Sequence, residues 1–291
     1  FTAAAELGPL AAANVPVPHP GRPAGPVRTR AQQKGSAMDT ARTRPSNCQP
    51  KSPSRHRLGD RLLLHAPVLS VDQIAARMIR IRLDTAALAT LDWIPGQQVR
   101  VAAGDAPAPR NPKDWIFGQM RTYSIWECTP DRLDLAVLDH GDGPGAQWAR
   151  HARPGQLVAF TRPQGTLVAQ PSGSHLLIGE ETAAAAFGAI LRSLPVGQHA
   201  LTIIEASEPG DQLPLPGDVR WHYRHGRSAA SSASLLHAVR DTDLPGPGTA
   251  YLAGEARTIQ ALRSHLIRDR GWPRRAIITK PFWTPGKKGM E

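Results

Sequence analysis

The chain has 291 residues, is 41% hydrophobic and carries a formal net charge of +11 at pH 7. Two domains, each with a core, fit this length, and no apolar run approaches the roughly 20 residues that span a bilayer, so we predict no membrane insertion. With two cysteines, Cys48 and Cys128, the sequence excludes a disulfide framework and a cysteine-rich metal site, which fits a reducing cytosol. We predict no bound metal, because the His222 and His225 pair has no partner cluster and is expected at the surface.

Residues 1–57 form a basic segment that is rich in proline. They hold nine basic residues, two acids and nine prolines, which leaves residues 58–291 a net charge of only +4. No apolar periodicity runs through this tail, so we expect it to be disordered, with Met38 as a plausible true start. A basic arm for RNA or an anionic membrane is the alternative. Because most of the charge excess lies in the tail, we predict no nucleic-acid partner.

Short runs of strand-forming residues follow one another from residue 58 to residue 170. In "RMIRIRL" the apolar residues Met78, Ile79, Ile81 and Leu83 largely alternate with arginines. The segments "QQVRVAAG", "RTYSIW", "RLDLAVLD" and "QLVAFTRP" follow, separated by Pro, Gly and Asp. Repeated short strands with turn signals are typical of an antiparallel barrel or sandwich, so we predict a mostly β first domain.

Residues 171–291 alternate between strand and helix patterns. Predicted strands are "HLLIGE", "HALTIIEA", "VRWHYRH", "TAYLAGEA" and "RAIITKPFW", and helices are predicted at 182–194, around "SASLLHAVR" and in "RTIQALRSHLIRDRG". We expect Thr182 to cap the first helix, and Gly271 with Pro273 to end the last one. This alternation predicts a parallel sheet with helices on its faces.

Three short stretches suggest ligand binding. In "RTYSIW", a strand would place Arg121 and Tyr123 on one face and Ser124 on the other; this suits a phosphorylated planar ligand, although ordinary sheet edges also look like this. In "DHGDGPGAQWARHA", a glycine loop opens into a helix whose unpaired N–H groups suit a phosphate, with a simple strand-to-helix turn as the alternative. The turns "GEET" (179–182) and "AGEA" (253–256) end two strands, where open parallel sheets bind ligands.

Several segments together resemble the siderophore-interacting proteins, a bacterial branch of the ferredoxin-reductase-like flavoenzymes. They are "RTYSIW", "DHGDGPGAQWA", "RPGQLV", "GEETAAAAFGAILRSLP", "AGEARTIQALRSHLIRDRGWP" and "KPFWTPGKKG". The resemblance covers about residues 58–289. It implies an antiparallel β-barrel FAD-binding domain (58–170) followed by a parallel-sheet, nucleotide-binding α/β domain (171–291), in a cytoplasmic bacterial protein. No assembly segment is apparent, so we expect a monomer.

The resemblance assigns FAD to the first domain. Arg121 would pair with a phosphate, Tyr123 would pack on the flavin region and Ser124 would hydrogen-bond toward the flavin ring. The ribityl and pyrophosphate portion would lie against His140, Gly143, Pro144, Gly145, Ala146, Gln147 and Trp148. Many relatives have serine or threonine where this chain has Ala146. Backbone amides or Gln147 must then bind the phosphate, and we expect the flavin to be held more loosely.

The resemblance places the nicotinamide of NADPH or NADH near Glu181, Thr182 and the turn at Gly254 and Glu255. No arginine for a 2′-phosphate can be assigned, so the sequence does not choose between the two donors, and ferredoxin is the donor in some relatives. Trp283 either closes the hydrophobic core or lies near the flavin and moves aside for the nicotinamide.

A ferric siderophore is the substrate that the resemblance implies. Ferric catecholates are anionic, and cations near the flavin edge would attract them over a short screened range. The candidate cations are Arg110, Lys113, Lys280, Lys287 and Lys288, with a solvated surface charge as the alternative role for each.

Three functions remain open at this point. The first is an FAD-dependent ferric-siderophore reductase. The second is a flavin reductase of the same fold with another acceptor, either a partner protein or a small molecule. The third is a protein that binds siderophores or nucleic acid without flavin. The presence of both "RTYSIW" and "GEET" favours an enzyme over a binding protein.

Overall fold

The computed structural model describes residues 63–88, 91–103 and 120–287. Six antiparallel strands form a closed barrel, and a five-stranded parallel sheet follows it in the chain. The predicted combination of an antiparallel barrel with a parallel α/β sheet is therefore confirmed. The expectations for the tail, including Met38, and for the candidate cations Arg110, Lys113 and Lys288 lie outside the described residues.

The barrel strands have the order β1-β2-β5-β4-β3-β6. They are β1 (Leu64–Ala75), β2 (Met78–Asp84), β3 (Gln98–Ala102), β4 (Met120–Cys128), β5 (Arg132–Leu138) and β6 (Leu157–Phe160). In β2, Ile81 and Leu83 are fully buried while the arginines between the apolar residues are half-buried. The alternation puts one row of side chains into the barrel. Val101 pairs with Phe160 where β3 meets β6 and closes the barrel.

The parallel sheet has the order β11-β10-β7-β8-β9. Its strands are β7 (Ser174–Glu180), β8 (His199–Ala206), β9 (Asp218–Tyr223), β10 (Thr249–Glu255) and β11 (Ile277–Trp283). The central strand β7 is buried from His175 to Glu180, as expected where helices cover both faces of a parallel sheet. The carboxyl ends of β7 and β10 thus lie side by side, which brings the "GEET" and "AGEA" turns together.

Four described helices accompany the strands. They are α1 (Pro144–His151), α2 (Ala184–Ser193), α3 (Ala233–Asp241) and α4 (Ala256–Arg268). In α4, Ile259, Leu262 and Leu266 are buried, as the periodicity predicts. Gly271 follows with a φ of +68°, which suits a residue without a Cβ just after a helix end.

The start of α2 differs from the prediction. A 3-10 turn, Glu181–Ala183, precedes the α-helix, and the capping group is the side chain of Glu180, which accepts a hydrogen bond from the Thr182 N–H at 2.8 Å. The prediction that Thr182 is the N-cap is therefore wrong. Thr182 already lies inside the turn, whereas Glu180 has the extended backbone that capping requires.

The histidine pair on β9 and the loop after it is only partly at the surface. His225 is exposed, but the Nε2 atom of His222 is buried, so the expectation was wrong for His222. Burial also lowers the pKa of His222 below its ordinary value. Within the described part of the chain, no cluster of three or more His, Cys, Asp or Glu side chains could hold a metal ion.

Helix α2 packs directly on barrel strand β4 and fixes the barrel against the sheet. A Cβ at Gly188 would lie 2.6 Å from the Trp126 ring, so only glycine allows this approach. One turn later the Arg192 guanidinium stacks 4.1 Å from the centre of the same ring. This contact packs barrel strand β4 against the helix that follows the carboxyl end of β7. No described helix is both long and apolar enough to cross a membrane.

Candidate functional site

Three neighbouring cavities lie where the barrel meets the carboxyl ends of the parallel strands. We call them the loop cavity, beside Arg121 and the glycine loop, the barrel cavity, beside Ser124, and the sheet cavity, beside Glu180. Their volumes are about 360, 150 and 210 Å³ respectively. Leu138, His140 and Trp283 line all three, so the cavities form one continuous cleft.

The loop cavity combines a helix amino terminus with two cations. Helix α1 begins after Gly143, with Pro144 at its first turn, and the first N–H groups of a helix have no partner within it. Arg121 and Lys287 line the same cavity. Arg121 also donates from Nη1 to the carbonyl of Met120 at 2.9 Å, which orients its guanidinium. Backbone donors, a helix dipole and two cations together suit a diphosphate.

Tyr123 connects this loop to the barrel core. Its ring stacks on Trp148 with centroids 5.5 Å apart, and its hydroxyl lies against Gly145. Burial raises the pKa of Tyr123 above its ordinary value, so the phenol stays neutral. Tyr123 lines both the loop cavity and the barrel cavity and lies between them.

The glycine-loop residues expected to touch FAD have different environments. His140, Gly143, Pro144, Gly145 and Ala146 all line the loop cavity. The other two, Gln147 and Trp148, do not line any of the three cavities. Gln147 turns back to donate to the carbonyl of Asp142 at 3.0 Å, and Trp148 packs in the barrel core. The backbone amides, rather than the Gln147 side chain, are therefore available to the cavity.

The barrel cavity has a polar side and an apolar side. Ser124, Thr122 and Gln98 supply the polar groups, and Met78, Ala136, Leu138 and Phe282 supply the apolar ones. Gln98 and Thr122 were not among the predicted site residues. Gln98 lies opposite Ser124 because β3 and β4 pair in that register, and no local sequence pattern reveals such a pairing. Lys280, predicted as a substrate cation, also lines this cavity. A flat heteroaromatic ring with a polar edge fits such walls.

The sheet cavity contains the predicted residues Glu181 and Thr182. Glu181 is 1% exposed, and its carboxylate binds the guanidinium of Arg224 through both oxygens and accepts from Arg77 Nη2 at 2.8 Å. Arg77 reaches it from the β1–β2 turn and also pairs with Asp211 at 2.7 Å. Glu181 thus joins the barrel to the sheet, and its charge is compensated by two arginines. The exposed Arg227 and Ser228 line the open side.

Glu180 was missed by the sequence analysis although it lies in the same cavity. It is 2% exposed and accepts hydrogen bonds from the Thr182 N–H, the Thr182 hydroxyl and, at 2.8 Å, the Nε1–H of Trp283. Burial, reinforced by the neighbouring Glu181 charge, raises the pKa of Glu180 to about 7. Glu180 ends β7 and Glu181 begins the turn after it. The order of these adjacent glutamates in the sequence does not say which one faces Trp283.

The predicted residues Gly254 and Glu255 pack beside the residues that line the site. Neither lines the three cavities. Glu255 caps α4 through the Thr258 N–H at 2.9 Å and accepts from the Ser231 N–H at 3.0 Å. Burial alone would raise the pKa of Glu255, but these N–H donors hold it below its ordinary value. Gly254, with a φ of +131°, leaves open the space that Glu180 occupies.

Two family models match the chain in succession. The siderophore-interacting FAD-binding domain matches residues 67–167, and the siderophore-interacting protein model matches residues 172–286. The chain belongs to the siderophore-interacting protein family. The first match covers the barrel with the glycine loop, so the barrel is the FAD-binding domain of this family, and the second match covers the parallel sheet.

Two relatives are similar to this chain in sequence. An uncharacterised protein of Mycobacterium tuberculosis is 29% identical over 201 residues, 63% of this chain and 69% of the relative. The ferric vibriobactin reductase ViuB of Vibrio cholerae is 25% identical over 178 residues, 57% of this chain and 65% of ViuB. The chain thus spans about two thirds of the length of these two relatives.

Two solved structures show the same fold at low identity. A siderophore utilization protein from T. fusca has a TM-score of 0.66 at 21% identity, covering 79% of this chain and 95% of that one. Phthalate dioxygenase reductase, described as transferring electrons from pyridine nucleotides to a [2Fe–2S] centre, has a TM-score of 0.60 at 17% identity, covering 79% and 71%. These two likenesses show that the fold is shared.

Proposed function

We propose that this protein is an FAD-dependent reductase of ferric siderophores that takes electrons from NADPH or NADH. The observation that carries the proposal is the continuous cleft. In it, a cavity lined by Arg121 and a helix amino terminus, a cavity with a polar and an apolar side, and a strand-end cavity meet at Trp283. We also propose domain boundaries at residues 58–170 and 171–291, a cytoplasmic location and a monomeric state.

The residues of the loop cavity and the barrel cavity fit FAD. Arg121, Lys287 and the first amides of α1 would hold the diphosphate, and Ser124 with Gln98 would hydrogen-bond the polar edge of the ring system. When bound, the flavin accepts an electron pair and releases electrons singly, which suits a one-electron metal acceptor. The protein contributes position and exclusion of water, since Met78, Leu138 and Phe282 cover the apolar faces.

The sheet cavity is the proposed entrance for the nicotinamide. Thr182, Arg227 and Ser228 line it. The Arg227 guanidinium and the Ser228 hydroxyl would donate, whereas the Thr182 hydroxyl, which already donates to Glu180, would accept. Glu181 does not act on the donor directly, because Arg77 and Arg224 occupy its carboxylate. Its role is to hold the two sides of the cleft at a constant separation.

The acceptor is proposed to be an Fe(III) chelate with anionic oxygen ligands. Such ligands bind Fe(III) far better than Fe(II), so reduction loosens the metal. Lys280 in the barrel cavity supplies positive charge for this acceptor. Lys287, the other predicted substrate cation, lies at the loop cavity, where the proposed diphosphate would compensate its charge. The reductase activity of ViuB, as its name states it, supports this choice of acceptor.

An anaerobic spectroscopic titration tests the proposal. The purified chain is saturated with FAD, reduced with NADPH or NADH, and then mixed with ferric vibriobactin and a chromophoric Fe(II) chelator. We expect the visible flavin absorbance to bleach and then recover as the Fe(II) complex appears. Flavin that stays reduced after addition of the ferric complex would contradict the acceptor, and a chain that takes up no FAD would overturn the proposal.

A further inference from the structure

One buried carboxyl group connects the central strand of the sheet to the aromatic side chain at the centre of the cleft. Glu180 ends β7, and Trp283 ends β11. These strands are not neighbours, since β10 lies between them. The hydrogen bond from Trp283 Nε1 to Glu180 Oε1, at 2.8 Å, therefore crosses over β10.

Gly254 makes this crossing possible. It lies on β10 between the two strands, and a Cβ at this position would lie 2.7 Å from Glu180 Oε1 and 3.1 Å from its Cγ. Its φ of +131° is also a conformation that other residues rarely adopt. The backbone of β10 is thus arranged to leave room for the Glu180 carboxyl group.

Among the described residues of β11, Trp283 is the one that lines all three cavities. Its indole lines the loop cavity, the barrel cavity and the sheet cavity, whereas the neighbouring Phe282 lines only the first two. A shift of this indole would change the passage from the sheet cavity to the barrel cavity. The Glu180 hydrogen bond is the one contact described for the indole N–H.

We propose that Glu180 is a positioning residue that holds Trp283 across the cleft, and that breaking this hydrogen bond opens the passage between the sheet cavity and the barrel cavity. We call the Glu180–Trp283 hydrogen bond the latch. The inference rests on the proposed function for its consequence, the entry of the nicotinamide, but the latch itself is a property of the chain alone.

The ionisation of Glu180 should control the latch. An ionised carboxylate accepts from Trp283 more strongly than a neutral acid, because charge-assisted hydrogen bonds are roughly twice as strong. The charged groups around Glu180 are Glu181 from the adjoining turn, which opposes ionisation, and Arg224 from the end of β9, which favours it. The other titratable groups at the same cavity are Arg77, Arg227 and His140, and Glu255 follows Gly254 on β10.

The sign of the pH effect follows from these contacts. Burial raises the pKa of Glu180 to about 7. Above this pH the carboxylate holds the indole, and below it the protonated group holds it less firmly. We therefore expect the nicotinamide donor to reach the flavin about fivefold faster at pH 6 than at pH 8, after correction for the intrinsic pH dependence of the donor.

A fluorine NMR titration tests the latch without any donor or siderophore. The FAD-loaded chain is labelled with 5-fluorotryptophan, and the resonance of Trp283 is assigned by its loss in Trp283→Phe. We expect this resonance to shift with a midpoint near pH 7 in the wild type and to be independent of pH in Glu180→Gln. A Trp283 resonance that does not titrate, or that titrates equally in Glu180→Gln, would overturn the proposal.

Two further variants test the crossing geometry and the specificity of the latch. Gly254→Ala removes the space for the carboxyl group without changing any charge, and we expect it to abolish the Trp283 titration as well. Asp218→Asn, a matched carboxyl-to-amide change at an exposed position at the start of β9, should leave the titration unchanged. A Gly254→Ala variant that keeps the wild-type titration would contradict the crossing geometry.

Stopped-flow reduction of the flavin then tests the consequence. The fivefold difference in the rate of flavin reduction between pH 6 and pH 8 should be present in the wild type and absent in Glu180→Gln and in Trp283→Phe. The double variant should behave like either single variant. Additive effects would show that the residues act separately and would contradict the latch. If the NMR titration persists while ferric siderophore is not reduced, the proposed function fails and the latch stands.

Discussion

The hydroxyl group of Tyr123 occupies the space in which a side chain at position 145 would lie. A Cβ added to Gly145 would fall well inside contact distance of this oxygen, and it would also lie 3.7 Å from Cγ of Arg121. The Tyr123 ring cannot easily move away, because it stacks on the buried Trp148. A strand residue and a loop glycine that are far apart in sequence are thus a single fitted pair beside the proposed diphosphate site.

Substituting Gly145 with alanine should disturb this pair. We expect Gly145→Ala to weaken FAD binding about tenfold, because overpacking displaces the Tyr123 ring or the first turn of α1. The double variant Tyr123→Phe/Gly145→Ala should recover most of the loss, since the phenyl ring leaves room for the methyl group. The Kd for FAD can be measured by flavin fluorescence quenching. Equal loss in the single and the double variant would show that the contact with Tyr123 is not the cause.

Replacing Arg121 tests the anion site. Arg121→Ala should raise the Kd for FAD by at least tenfold, because a charge-assisted contact to a phosphate contributes about 2 kcal/mol. Arg121→Lys should lose less than the alanine variant, as it keeps the charge but not the planar fork. Arg220→Ala, at a half-exposed position on β9, is the matched control and should bind FAD like the wild type. Unchanged binding by Arg121→Ala would remove Arg121 from the diphosphate site.

The ion pairs of Arg77 should contribute to stability more than those of its neighbour Arg80. Arg77→Ala leaves Asp211, which is 3% exposed, without its guanidinium, and we expect a loss of about 3 kcal/mol in the free energy of unfolding. Arg80→Ala removes a pair with Asp72, whose side chain is 41% exposed, and should cost less than about 1 kcal/mol. Both residues belong to the same hairpin, so urea unfolding of the two variants gives a matched comparison. Similar losses of stability in the two variants would show that the buried ion pair of Arg77 contributes no more than the exposed pair of Arg80.

The raised pKa of Glu180 predicts how stability changes with pH. Burial raises the pKa of Glu180 to about 7 in the folded chain, while an unfolded glutamate titrates near 4.3, so folding takes up a proton between these values. The contribution of Glu180 to the free energy of unfolding is complete below the pKa of the unfolded chain. It is lost as the pH rises through the pKa of the folded chain.

Between pH 5 and pH 8 the wild type should therefore lose about 2 kcal/mol more stability than Glu180→Gln, which has no charge to desolvate. Urea unfolding of both chains at these two pH values measures the difference, and the remaining titratable groups cancel because both chains share them. Equal pH dependence in the two chains would show that Glu180 keeps an ordinary pKa.

Much of the fold could be predicted because its signals are local. The alternation of apolar residues in β2, the buried run of β7 and the apolar face of α4 each follow from residues within one element. The cap of the 3-10 turn that precedes α2 could not be predicted in the same way. Thr182 is a good capping residue in isolation, but the conformation of β7 gave the role to Glu180, two positions earlier.

The residues of the candidate site also differ in whether a local sequence pattern could predict them. Arg121, Ser124 and the glycine loop stand out in the sequence because their residue types suit a phosphorylated ligand within a short stretch. Gln98 enters the site only through its pairing with Ser124 across β3 and β4. Gln147 and Trp148, which belong to the same motif as Gly145, point away from the cavities because α1 turns them toward Asp142 and the barrel core.

The sequence by itself determined the order of strands and helices, the phosphate-binding motifs and the family resemblance, since each depends on residues close together in the chain. Only the tertiary structure decided which of the two adjacent glutamates faces the cleft. Glu181 is drawn to Arg77 and Arg224, which come from the β1–β2 turn and the end of β9, whereas Glu180 reaches Trp283 over Gly254. Such assignments depend on contacts between residues more than 40 positions apart, and those contacts exist only after the barrel and the sheet have packed together.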